Sequence, residues 1–162
     1  MSTIPTPATL ARAGPSQELL SSTTFLLKRL GWRVKERMHE ALEATGLHWQ
    51  HYAVLSLLEE RARETQRTIA DALGYDRSQL VGLLDELEEQ GFVERRRDPN
   101  DRRCHLVSLT PAGNEALERL RSIGKGVEQE FLAPLGADQR ETLQMLLREL
   151  ASHHDARFAP KP

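Results

Sequence analysis

The densest charge in the chain lies between Arg95 and Arg103, where Arg95, Arg96, Arg97, Arg102 and Arg103 surround Asp98 and Asp101. Guanidinium groups so crowded repel one another unless an anion neutralises them, and arginine suits insertion into a narrow, electronegative minor groove. A second set lies upstream. Arg77, Ser78, Gln79 and Gly82 combine a forked donor, a hydroxyl, an amide and a position without a side chain. Such residues read base edges at close approach. Thr65, Gln66 and Arg67 are suited to phosphate contacts, as are Arg61 and Arg63, although a solvated charged turn explains those two equally well.

Other chemistry is sparse. His48 and His51 stand three apart, and His153 adjoins His154, but neither pair has a nearby cysteine or tight carboxylate cluster, so no metal site is expected. No Ser-His-Asp order, Gly-rich phosphate loop or carboxylate pair stands out, and neither an enzyme nor a cofactor is expected. Cys104 is the only cysteine, which excludes an intrachain disulfide and suits a reducing cytosol.

The elements that must position these residues are legible from spacing. Gln66 to Leu73 predicts a short helix with Ile69, Ala70 and Leu73 inward, closed by Gly74 in the left-handed conformation. Asp76 is the expected N-cap of the next helix, with Gln79 completing an Asp-x-x-Gln capping box. From Arg77 to Gln90, Leu80, Leu83, Leu84 and Leu87 mark one buried face, and Arg77, Ser78, Val81, Gly82 and Asp85 the opposite one. Two helices with a tight glycine turn make a helix-turn-helix. Val93 and Arg95, then Val107 and Leu109, alternate as a half-exposed hairpin does, which adds a wing.

In order, Thr65-Gln66, Ile69-Ala70, Leu73-Gly74, Asp76-x-Ser78, Leu84-x-x-Leu87, Gly91-Phe92-Val93-x-Arg95, Asp101-x-Arg103 and Leu109-Thr110-x-x-Gly113 resemble the signature of the MarR family of bacterial winged-helix regulators. The resemblance covers about Leu19 to Leu150. It implies a mostly α fold with a small β-hairpin wing, a winged helix-turn-helix carrying N- and C-terminal dimerisation helices. It also implies a homodimeric regulator of transcription, a repressor, bound to double-stranded DNA at a palindromic operator and relieved by a small aromatic or phenolic ligand. Arg103 is then the residue expected in the minor groove, and Asp101 the one that orients the wing. The family's peroxide sensors place their reactive cysteine near the first helix, so Cys104 is expected to be an incidental, partly exposed thiol.

The rest of the chain is organised around this lobe. With 162 residues and a net charge of −2, it is long enough for one domain plus appended helices, and only locally basic. Residues 1–15, with Pro5, Pro7, Gly14 and Pro15 and little to bury, read as a disordered tail; residues 16–46 as an N-terminal dimerisation helix; 47–110 as the DNA-binding lobe; and 111–158 as C-terminal dimerisation helices. The first helix is expected to start after Ser16 and run to about Ala44, with Leu26, Leu30, Val34, Met38 and Leu42 every four residues. Leu47 to Leu58 form the next, with Trp49, Tyr52, Ala53, Leu55 and Leu58 inward, and Glu59 to Glu64 a charged connector. Thr110-Pro111 opens a helix in which Gly124 and Gly126 favour a bend, and a last helix spans Asp138 to Asp155. No signal peptide or membrane-length apolar run is visible, so a cytoplasmic protein without membrane contacts is expected.

Trp32, His48, His51 and Tyr52 gather aromatic surface and hydrogen-bonding groups near the junction of the first two long helices. They are the expected ligand determinants, against ordinary packing as the plainer account. Two rival functions compete with DNA regulation: a winged-helix protein-interaction module, which has no use for the basic wing, and a thiol redox sensor acting through Cys104.

Overall fold

The computed structural model describes residues 14–99 and 104–159. Most of the expected tail, and the wing-tip residues Asp101, Arg102 and Arg103, lie outside the described residues. The chain divides into two compact units, residues 1–37 and 38–162.

In the first unit the expected continuous helix is broken. Helix α1 (Gln17–Leu20) stops at Ser21, and α2 (Thr23–Leu42) begins after Ser22. The cause is a run of hydroxyls that bond the backbone and compete with the helical ladder. Ser21 Oγ donates to the Gln17 carbonyl at 2.9 Å, and Ser22 Oγ accepts the Phe25 N–H at 3.3 Å. Leu19, Leu26, Leu27 and Leu30 are exposed along this unit.

The second unit takes in the last residues of α2, which ends at Leu42, sooner than the spacing predicts. A 3-10 turn (Glu43–Thr45) follows, and Gly46 turns the chain at φ 67°. Helix α3 (Trp49–Arg61) buries His51, Val54, Leu55, Leu57 and Leu58. Trp49, expected inward, is 50% exposed, and Tyr52 and Ala53 are only partly buried. The inward row is Leu47, His51, Val54, Leu55 and Leu58, a regular helical stripe in which a histidine takes a core position.

The connector is more than a charged turn. Glu64–Thr65 form strand β1, which pairs with β3 (His105–Leu109); β3 also pairs with β2 (Val93–Arg97), giving an antiparallel sheet of order β1-β3-β2. Val93 faces Leu109 and Arg95 faces Val107 in the β2–β3 ladder. Helices α4 (Gln66–Leu73) and α5 (Arg77–Glu89) precede β2. Beyond the sheet run α6 (Pro111–Phe131), unbroken through Gly124 and Gly126, and α7 (Ala137–His154), followed by a 3-10 turn at Ala156–Phe158.

One core joins these parts: Leu55 and Leu58 of α3, Ile69 of α4, Leu80, Leu84 and Leu87 of α5, Val93 and Val107 of the sheet, and Leu117 and Leu120 of α6. Burying side chains of this size stabilises by roughly 1.5–3 kcal/mol each, offset largely by the cost of ordering the chain. Leu146, Leu147 and Leu150 of α7 stay exposed.

Candidate nucleic-acid interface

Local chemistry sets the turn between α4 and α5. Thr65 Oγ1 accepts the Thr68 N–H at 3.1 Å and caps α4, so this residue begins the helix and ends β1 at once. Gly74 closes α4 at φ 69°, a conformation that disfavours any side chain. Asp76 then caps α5, its Oδ1 accepting the Gln79 N–H at 2.8 Å and the Ser78 hydroxyl at 2.6 Å. The Ser78 hydrogen bond, then the Gln79 N–H, hold the Asp76 carboxyl below its ordinary range. A charged cap is therefore kept at the helix end where the dipole favours an anion.

Three of the predicted reading residues follow directly. Arg77, Ser78 and Gln79 are exposed on the first turn of α5, and Gly82 lies exposed one turn on, with open space where a Cβ would stand. Because the Ser78 hydroxyl hydrogen is given to Asp76, its free lone pairs can accept but its donor is spent. Arg77 and Gln79 retain forked groups of the kind that match guanine and adenine edges.

The wing arginines are not equivalent. Alternation along β2 puts Arg95 on the same face as Val93, and its side chain is only 17% exposed, against 74% for Arg96. Arg95 Nη2 pairs with Asp85, and Arg95 Nε lies 3.2 Å from Glu88 Oε2; both carboxylates belong to α5. The Arg95 backbone N–H donates to Glu88 Oε1 at 3.3 Å. Arg96 Nη2 pairs with Glu94 at 2.9 Å, and Arg97 is exposed. Beyond them the hairpin continues with the Asp98 N–H donating to the Cys104 carbonyl at 3.0 Å. Cys104 is partly exposed. Arg67, exposed on α4, has its Nε 3.9 Å from Asp71, while Gln66 is partly buried.

His51 takes a different place from the one its chemistry suggested. It is fully buried, its Nδ1 accepts the His48 N–H at 3.0 Å, and its Nε2 lies 2.9 Å from Glu86 Oε2, a close approach without hydrogen-bond alignment. Burial lowers its pKa, opposed by the Glu86 charge and reinforced by His48. His51 thus ties α3 to α5. Its ring stacks on His48 with centroids 5.6 Å apart, and His48 stacks on His39 at 6.0 Å. Tyr52 lies against Trp49, ring centroids 4.9 Å apart. In the other unit Trp32 is exposed, with the Arg29 guanidinium 5.4 Å above its ring. Among the described residues no group of three or more His, Cys, Asp or Glu is arranged to hold a metal ion, and no helix is long and apolar enough to cross a membrane.

Three links escape sequence reasoning: His51 with Glu86, Arg95 with Asp85 and Glu88, and Arg157 over Gly74. In the last, a Cβ built on Gly74 would stand 1.8 Å from Arg157 Nη1, so the Arg157 guanidinium lies against the helix-turn-helix corner. Only Arg95 left a signal, its period-two spacing from Val93.

A helix-turn-helix whose second helix presents exposed polar groups, followed by a basic two-stranded hairpin pinned to that helix, defines a winged helix-turn-helix protein. The family model described as MarR family matches residues 47–105. The transcriptional regulator HosA of Escherichia coli O111:H- is 30% identical over 123 residues, 70% of this chain and 91% of HosA. Among solved structures, the transcriptional repressor CouR bound to a 23-mer DNA duplex superposes with a TM-score of 0.79 at 32% identity, covering 86% of this chain and 99% of CouR. CouR from Rhodococcus jostii RHA1 bound to p-coumaroyl-CoA gives 0.73 at 33% identity, covering 91% and 99%. The chain belongs to the MarR family and is a transcriptional regulator.

Proposed function

We propose that this regulator is a repressor that binds a palindromic operator as a homodimer in the cytoplasm. The observation that carries this reading is the exposed first turn of α5, Arg77, Ser78 and Gln79 with Gly82 behind them, beside the exposed wing arginines Arg96 and Arg97. The CouR complex with duplex DNA supports it. In this reading Arg77 and Gln79 reach base edges, Thr65, Gln66 and Arg67 border the phosphates, and Arg96, Arg97, Arg102 and Arg103 follow the flanking backbone and minor groove, with Asp101 orienting the tip. The N-terminal helices and α6–α7 join the two copies.

Selection of bound fragments from random duplexes tests the reading. An inverted repeat is expected, its half-sites about one helical turn, roughly 34–36 Å, apart. Arg103→Ala is expected to weaken every sequence and lower the salt slope by about one, whereas Gln79→Ala changes which base pairs are preferred. Equal losses on all sequences from both variants would refute that division of labour.

The CouR complex with p-coumaroyl-CoA supports release by an aromatic ligand. His48 and Tyr52 are the proposed contacts in the second unit, with buried His51 holding His48 in place, and Trp32 is tested as a separate variant. A ligand that prefers the unbound state weakens operator binding by its coupling free energy, about 1–3 kcal/mol. Titrating phenolic and aromatic acids and their thioesters against the protein–operator complex checks this, and a broad panel without effect rejects it.

A further inference from the structure

Asp85 is an oddity on a helix that is to meet DNA. It lies on the same outer face as Arg77, Ser78 and Gly82, its side chain 60% exposed, where a carboxylate repels phosphates. Glu88 follows one turn later at 43% exposure. Both acids converge on one guanidinium that comes from outside the helix. Arg95 gives Nη2 to Asp85, sets Nε 3.2 Å from Glu88 Oε2 as an ion pair without hydrogen-bond alignment, and donates its backbone N–H to Glu88 Oε1 at 3.3 Å. Among the described wing arginines its side chain is the covered one, and it stands beside Val93, whose burial fixes the base of β2.

We propose that Arg95 is a positioning residue for DNA recognition that makes no DNA contact, and that it works by clamping the wing to the recognition helix through Asp85 and Glu88. The proposal rests on the DNA-binding reading above and deepens it. The wing and α5 must enter neighbouring grooves together, so a fixed spacing between them selects DNA on which both fit. A helix and a hairpin free to splay bind charge without register. A forked, planar group held by two carboxylates keeps its geometry better than an ammonium would.

The test measures affinity for a selected site and for random duplex over a range of salt, using the full-length protein, Arg95→Met, Arg95→Lys and Asp85→Asn. As a clamp, Arg95→Met loses on the order of tenfold in affinity for the selected site and much less for random duplex, with an unchanged salt slope. Arg95→Lys recovers part of the loss. Asp85→Asn provides the sharper sign. It removes a negative charge from the DNA-facing surface, yet it is expected to weaken specific binding because one arm of the clamp is gone. Its exposed position leaves folding intact, so it decides the matter even where Arg95→Met fails to fold. A salt slope reduced by about one in Arg95→Met, or tighter specific binding by Asp85→Asn, makes Arg95 a phosphate contact restrained by its acids and overturns the proposal. Wild-type protein that prefers no duplex rejects the DNA-binding reading itself, and the clamp's role with it.

Discussion

Gly82 occupies the exposed outer face of α5, and nothing stands within 4 Å of the Cβ it lacks. Glycine inside a helix costs about 0.5–1 kcal/mol relative to alanine, and the fold makes no use of the gap. Gly82→Ala is therefore expected to raise stability by about that amount while weakening operator binding, because the added methyl meets the groove. Thermal unfolding and DNA titration on one preparation check both halves; a variant that is stabilised and binds normally removes Gly82 from the interface. His51 makes the opposite case, a chemically able residue absorbed by structure. Folding keeps its ring neutral below the ordinary value of 6.5, chiefly through burial. As pH falls through that value the unfolded chain takes up a proton that the folded chain refuses, so stability declines and the loss levels off below the depressed folded pKa. Protonation would also place a hydrogen on Nδ1, where the His48 N–H already points. Urea midpoints from about pH 8 to about pH 5 are expected to fall more steeply for the wild type than for His51→Gln, whose amide oxygen can still accept. Parallel curves would contradict this account.

At the scale of elements, one hydroxyl reinforces the junction of wing and α6, beside the Thr110 N–H that donates to the Phe92 carbonyl at 3.0 Å. Thr110 Oγ1 accepts the Gly113 N–H at 3.0 Å, capping α6, and donates to the Gly91 carbonyl at 2.6 Å. Thr110→Val keeps the branched shape and loses both bonds, at an expected cost of about 1–2 kcal/mol in denaturant unfolding. No measurable change would mean that water replaces the cap. The corner between α4 and α5 depends instead on backbone. Gly74→Ala forces a methyl-bearing residue to φ 69°, costing about 1–2 kcal/mol, and also pushes the Arg157 guanidinium aside. Since that guanidinium ends a flexible side chain, the penalty is expected to persist in an Arg157→Ala background. Its disappearance there would make the collision, rather than the backbone, the dominant cause.

For the whole molecule the question is what covers the leucines. Leu19, Leu26, Leu27 and Leu30 in the first unit, and Leu146, Leu147 and Leu150 in the second, are exposed in the single chain. Apolar residues repeated along helices are costly to leave in water, and a symmetric partner is the economical cover. Leu147→Glu combined with Leu150→Glu is expected to yield a folded monomer in sedimentation, with operator affinity lost because the half-sites are no longer tethered. Helical signal should survive, since Leu84, Leu117 and the rest of the core are untouched. A variant that remains dimeric would take α7 out of the interface.

Local rules made much of this protein legible. The caps at Asp76 and Thr110, the left-handed Gly74, the leucine stripe of α5 and the alternation of β2 and β3 each depend on residues a few positions apart and are present, although Leu83 of the stripe is only partly buried and Gln79 meets the Asp76 cap through its backbone N–H. The exposed reading face at Arg77, Ser78 and Gln79 follows from the same stripe. The splitting of the first helix at Ser21-Ser22 is also local: there the hydroxyls outweigh the leucine spacing, which predicts one continuous helix. Other features had no local cause. Strand β1 exists because β3, more than forty residues onward, offers Glu64 and Thr65 a partner at Val107 and Leu106. His51 meets Glu86 only because α5 packs against α3, and Arg95 meets Asp85 and Glu88 only because the wing folds back on α5. Composition shows that a histidine or an arginine can bind a ligand or a phosphate. Whether its charge is free to do so depends on which acids the fold carries to it, and those acids come from other elements of the chain.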